Sequence, residues 1–224
     1  LEDLALNAKR VIVVDHHINP SFGDIQIIDS SAASTTQVLF REILSANIDI
    51  DKNIANCLMT GLITDTGRFQ YSNTDNEVFE IASKLMLSGA ELTSISDNIY
   101  GSIPMNAIKL QSKVLNRIEL YEEEELVVSY VLQEDYLNYN IASSETDFLI
   151  DSIRLVKESS VALLLKEQQD KSFKGSLRSR NELDVQQIAS LFGGGGHKAA
   201  SGFSTNLSME EIKNKVKNAI KSQV

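Results

Sequence analysis

The chain has 224 residues, 42% of them hydrophobic and 23% charged, a formal net charge of −10 and a single cysteine, Cys57. That is the composition of a globular protein with enough core for one large domain or two small ones. One cysteine excludes a disulfide framework and a cysteine-based zinc site. The acidity argues against a protein that coats long nucleic acids, whose affinity rests on neutralising many phosphates, while leaving room for a local basic pocket. No apolar run approaches the roughly 18 residues of a membrane span, and residues 1–14 lack the order of a signal peptide, so a cytoplasmic location is expected. Cys57 lies in the run Ala55-Asn56-Cys57-Leu58-Met59 and is expected to be a small buried hydrophobe. The chain opens with Leu1 almost on top of a strand, which suggests a piece of a longer protein.

Val11 to Val14 is a short β-branched run, predicted as a strand buried on both faces and ending in Asp15-His16-His17. Ile25 to Ile28 is a second strand, followed by Asp29-Ser30-Ser31. Thr35 to Leu44 has helical spacing of Val38, Leu39, Ile43 and Leu44. Asp51 caps a helix through Ile63. Thr74-x-x-Glu77 reads as a capping box for a helix ending at Gly89. Strands alternating with helices in this way indicate an α/β layer. Ser96 to Glu119 reads as helix and connector, broken near Gly101 and Pro104, and Tyr121 to Glu125 as an acidic turn.

The second half reads as a mixed sheet with helices. Leu126 to Leu132 is a strand and Glu145 to Ile153 a helix. Val161 to Lys166 and Phe173 to Arg180 form a hairpin about Asp170-Lys171. Asp184 caps a helix to Leu191, a glycine loop covers Gly193 to Gly196, and Ser208-x-x-Glu211 caps a last helix with Ile212, Val216 and Ile220 inward.

The chemistry concentrates in a few places. Among the histidines, His16 and His17 follow Asp15 at the carboxyl end of a strand, where open parallel sheets bind ligands. Imidazole and carboxylate together suit manganese, iron or zinc. Adjacent residues of an extended segment point to opposite sides, so one histidine could take a metal and the other a phosphate oxygen. Asp65 follows an apolar helix in Asp65-Thr66-Gly67-Arg68-Phe69; a turn cap is the plain alternative. In Phe192-Gly193-Gly194-Gly195-Gly196-His197-Lys198, the glycines could converge their N–H groups on an anion, with a helix starting at His197. Upstream, Ser176, Arg178 and Arg180 share one strand face and could hold a phosphate or carboxylate; a solvated hairpin face is the alternative.

These strings, with Asp29-Ser30-Ser31-Ala32-Ala33-Ser34-Thr35-Thr36 between the first two, resemble the DHH–DHHA1 phosphoesterase family, and within it the nanoRNase/pAp phosphatase (NrnA-like) group. The resemblance covers essentially the whole chain. It implies the remainder of a parallel-sheet DHH domain over residues 1–100, a helical linker over 101–120 and a smaller mixed-sheet α/β DHHA1 domain over 121–224. It further implies a metal-dependent hydrolase, with two divalent ions, Mn²⁺ foremost, acting on very short RNA or DNA oligonucleotides or on 3'-phosphoadenosine 5'-phosphate (pAp). His16 and Asp65 would be metal ligands and His17 would contact the scissile phosphate, with Asp15 in support. Arg178, Arg180, Gly194, Gly195, Gly196 and His197 would hold the far end of the substrate. A homodimer is allowed; long duplexes and membranes are not expected partners.

The resemblance is incomplete. The family carries two further metal motifs upstream of Asp-His-His, which residues 1–14 lack, and Gln37 stands where relatives would carry an acid. The segment alone is therefore expected to be inactive, and a non-catalytic nucleotide-binding fragment is an alternative. A cyclic- or linear-dinucleotide phosphodiesterase is another. A family II pyrophosphatase would lack the Gly-Gly-Gly-Gly-His run, and a RecJ-type exonuclease would bring further domains.

Overall fold

The computed structural model describes residues 7–17, 22–180 and 182–223. The chain divides into two units, Leu1–Ser102 and Ile103–Val224.

In the first unit, β1 (Ile12–Asp15) pairs in parallel with β2 (Ile25–Ile28), Asp15 lying opposite Ile28. Val13 is buried, but Ile12 is 59% and Ile25 46% exposed. The expectation of a strand buried on both faces is thus corrected: within the described residues only one face is covered. The helices α1 (Thr35–Ser45), α2 (Lys52–Asp65), α3 (Asn76–Leu87) and α4 (Leu92–Tyr100) follow. Ser34 caps α1 and Asp51 caps α2 through their side chains. The cap of α3 is Asp75, which accepts the Val78 N–H, and not Thr74. Glu77 is thereby released from a capping box and turns to Arg41 instead. Phe40, Ala55, Leu58, Met59, Leu62, Val78, Ile81 and Leu85 form one core. Cys57 falls between the inward positions of α2 and is exposed, contrary to the expectation from its apolar neighbours. Three residues past Leu58 a helix face recurs, one residue before it does not.

The second unit opens with α5 (Met105–Asn116). This helix lies in the segment expected to be a linker, yet its Ala107, Leu110 and Val114 are buried in the second unit's own core. Then follow β3 (Glu119–Tyr121), β4 (Leu126–Val131), α6 (Gln133–Tyr139), α7 (Leu149–Ile153), β5 (Val161–Glu167), β6 (Phe173–Ser179), α8 (Val185–Ser190), β7 (Gly195–His197), β8 (Ala200–Thr205) and α9 (Met209–Lys221). The sheet order is β3-β4-β5-β6-β8-β7, with β4 and β5 parallel and the other neighbours antiparallel. Alternation along the strands divides the core. Val127, Val131, Ala162 and Leu164 face α5, α6 and α7, while Leu126, Val128, Leu163, Leu165, Leu177 and Phe203 face α8 and α9. Both faces of β5 are covered, which is why its sequence is a continuous apolar run. The helix expected over 145–153 is a 3₁₀ turn, Ser143–Glu145, followed by the shorter α7.

Candidate metal and anion sites

Asp15 closes β1, and the chain bends at His16 and His17. One carboxylate oxygen of Asp15 accepts the backbone N–H groups of His16 (2.7 Å) and His17 (3.2 Å), the Nδ1 of His17 (2.8 Å) and the hydroxyl of Thr35 (3.1 Å). Burial works to raise the Asp15 pKa, but these bonds, led by that of the His17 ring, outweigh it and hold the group near 2. Asp15 is therefore a permanent anion that organises the turn. Since a carboxylate only accepts, the neutral His17 ring carries its proton on Nδ1. The expectation that the two rings diverge is corrected: their centroids are 4.5 Å apart, edge to face, because the backbone is no longer extended after Asp15.

His16 Nδ1 lies 3.2 Å from the Ala32 carbonyl oxygen, which also only accepts. The neutral ring therefore presents its lone pair at Nε2, and Nε2 stands 3.8 Å from Asp65 Oδ2. Two N/O donors sharing one ion, each about 2.1 Å from it, are separated by roughly 3–4 Å. The pair thus fits one edge of a metal coordination sphere, with the second ring nitrogen held by a carbonyl as ligating histidines require. Asp65 ends α2, and a left-handed turn at Gly67, Arg68 and Phe69 follows it (φ 54°, 62° and 63°). Buried Thr66 ties that turn down by accepting the Phe69 N–H and donating to Leu62. Asn73 completes the frame, donating to the carbonyls of both Ala33 and Asp65. Sequence reasoning singled out Asp15, His16, His17 and Asp65 as candidates; it gave no part in this frame to Thr35, Asn73, Gln37 or Glu77, whose contacts join residues far apart in the chain.

In the second unit the alternation of β6 buries Gly175, Leu177 and Ser179 and leaves Ser176 and Arg178 half-buried on the opposite face. Strand register carries that face across the sheet: Arg178 lies opposite Ala200, and Ala200 opposite His197. Ser176 lies opposite Gly202, and Gly202 opposite Gly195. Only small residues of β8 therefore stand between Arg178 and His197. Arg180 does not join them. It lies past the strand end, where its guanidinium donates to the carbonyls of Arg154 and Val156.

The glycine run is neither a helix start nor a converging nest. Gly193 and Gly194 donate to Ser190 and Ala189 at the end of α8. Gly195 to His197 form an edge strand that turns back through Lys198-Ala199 into β8. Carbonyls ending the helix thus claim the amides of Gly193 and Gly194, and β7 lies at the edge of the sheet. Gly196 has φ 140°, and a Cβ there would fall 2.6 Å from the Ala200 carbonyl oxygen, whereas a Cβ at Gly195 meets nothing within 4 Å.

Residues 123–222 match the DHHA1 domain family. Over 216 residues the chain is 32% identical to the bifunctional oligoribonuclease and PAP phosphatase NrnA of Thermus thermophilus, covering 96% of this chain and 64% of that protein. The Bacillus subtilis protein of the same name is 23% identical, over 88% of this chain and 63% of its own length. An exopolyphosphatase-related protein from Bacteroides fragilis superposes with a TM-score of 0.87 at 27% identity, covering 98% of this chain and 65% of its own. The chain thus spans less than two thirds of the length of each of these relatives. Among the described residues no helix is long and apolar enough to cross a membrane.

Proposed function

We propose that the chain, whose residues 123–222 match the DHHA1 domain family and which is 32% identical to an NrnA protein, belongs to the DHH–DHHA1 family and is part of a metal-dependent phosphoesterase that hydrolyses very short oligoribonucleotides and pAp. The observation that carries this reading is the His16–Asp65 pair, donors of mixed N/O type set 3.8 Å apart, with the other His16 nitrogen engaged by a carbonyl. Divalent ions, Mn²⁺ in this reading, would supply a hydroxide and stabilise charge on the leaving oxygen. His16 and Asp65 would hold the ion. His17, oriented by Asp15, would contact the scissile phosphate. In the second unit Arg178, Ser176 and His197 would take the far phosphate or sugar, with Gly195 allowing close approach. Arg180 would support the site by fixing the 154–156 loop.

The donors that the described residues of the first unit bring together, His16 and Asp65, are fewer than two ions require. That observation favours a second reading for residues 1–224 taken alone: nucleotide binding without turnover. The test compares residues 1–224 with the complete gene product in hydrolysis of pAp and of a 5′-labelled RNA dinucleotide, with and without Mn²⁺. Mn²⁺-dependent turnover by the complete product, faster on dinucleotide than on long RNA, is expected. Equal rates on long and very short RNA would refute the short-substrate reading. Binding of pAp with no turnover by either form would leave the binding reading.

A further inference from the structure

Gln37 sits on α1 with 1% of its surface exposed. A carboxamide so placed must find partners for both its ends. It finds them in a line. Its Oε1 accepts the Ala33 N–H at 2.7 Å, and its Nε2 donates to Glu77 Oε2 at 2.8 Å. The orientation is unambiguous, since a backbone N–H only donates and a carboxylate only accepts. The Ala33 N–H and the Ala32 carbonyl are the two ends of one peptide unit, and that carbonyl is the acceptor for His16 Nδ1 at 3.2 Å. One directional chain therefore runs from the His16 ring through the Ala32–Ala33 peptide and the Gln37 amide to the Glu77 carboxylate. Its far end is anchored. Arg41 donates to Glu77 through Nε (2.7 Å) and Nη2 (2.5 Å), and through Nη1 to Asp29 (2.5 Å). Asp29 in turn accepts from the Ser31 N–H and hydroxyl, so both ends of the 29–34 loop are tied to the same ion-pair network.

We infer that Gln37 and Glu77 are positioning residues, forming a relay that holds His16 with its proton on Nδ1 and its Nε2 turned toward Asp65. Aligned amides ending on an anion polarise one another, so each N–H in the series is a better donor than it would be alone. A carboxylate bonded directly to a ligating histidine fixes its tautomer and raises its basicity; here two amides carry the same influence across the loop. The consequence for divalent-cation affinity rests on the reading of His16 and Asp65 given above.

The test is side-chain ¹⁵N–¹H spectroscopy of the histidines in residues 1–224, without metal and at neutral pH, with H16A and H17A to assign the signals. His17 is the internal control, because its Nδ1 bonds to Asp15 and not to the relay. In the wild type both rings show the Nδ1–H tautomer. In Q37L the His16 signals move to those of a tautomer mixture while His17 is unchanged, and Mn²⁺, read from the free-ion EPR signal, binds roughly 10–100-fold more weakly. E77Q removes the terminal anion while leaving an amide oxygen for the Gln37 Nε2 donor, and changes in the same direction; it serves if Q37L fails to fold, with thermal melting as the check. Wild-type His16 signals in either folded variant overturn the relay, as does an equal response of His16 and His17. If the complete gene product also binds no Mn²⁺ but the tautomer responds as described, the relay stands and the metal reading falls.

Discussion

Arg178 and Arg180 are equivalent in sequence pattern and different in place, and the difference is measurable. Arg178 is half-buried on the open face of β6, and its guanidinium donates to the Leu177 carbonyl (3.0 Å). It stands in register with Ala200 and, beyond it, His197. Removing its guanidinium removes one charge-assisted contact to a phosphate, about 1.5–3 kcal/mol, or roughly 10–150-fold in affinity. Arg180 is exposed and its donors are spent on the carbonyls of Arg154 and Val156. Arg180→Ala should therefore cost about 1 kcal/mol of stability and change ligand affinity little. Isothermal titration of pAp into residues 1–224, wild type, R178A and R180A, decides this, with urea denaturation of the same samples. Equal loss of affinity in the two variants, or unchanged affinity in R178A, would refute the assignment of the anion-binding face to β6, β8 and β7.

Asp135 is fully buried and holds α6 against α5, accepting from Arg117 (2.5 and 3.2 Å), Lys113 (2.6 Å) and the Leu132 N–H (2.8 Å). Breaking such a cluster from one side costs about 3–5 kcal/mol, so D135N should lower the urea midpoint markedly at neutral pH. Burial acts to raise the Asp135 pKa, but its bonds to Arg117, Lys113 and Leu132 prevail and lower it from the ordinary 3.8. Its contribution is then complete above the unfolded-state pKa and is lost as pH falls through the lower folded value. The wild type and D135N should accordingly converge in stability toward acid; a constant gap from neutral pH to pH 3 would contradict the assignment. Gly196→Ala should destabilise the β7–β8 turn by about 1–3 kcal/mol through its φ of 140° and the approach to the Ala200 carbonyl, whereas Gly195→Ala should leave melting unchanged.

Local pattern alone was sufficient for most of the elements. The Asp51 and Ser208 caps, the hairpin between Val161 and Ser179, and the inward Ile212, Val216 and Ile220 all follow from short-range hydrogen bonding and periodicity, which a sequence displays directly. Asp15, His16, His17 and Asp65 could be singled out as candidates because metal and phosphate chemistry admits few residue types. Tertiary structure decided the rest. A glycine run has no side chains to express a preference, so its fate depended on α8, which claimed the amides of Gly193 and Gly194, and on β8, which made a strand edge of an expected helix start. Cys57 sits among apolar neighbours, but which side of α2 is inward is set by the packing of α1, α3 and α4 against it. Glu77 reads as half of a capping box until Arg41 and Gln37, 36 and 40 residues away, are seen to hold it. The sequence by itself determined which atoms could bind a metal or an anion. Only the folded chain determined how they are aimed, because aim depends on hydrogen bonds between residues far apart in the chain, and no local pattern encodes those.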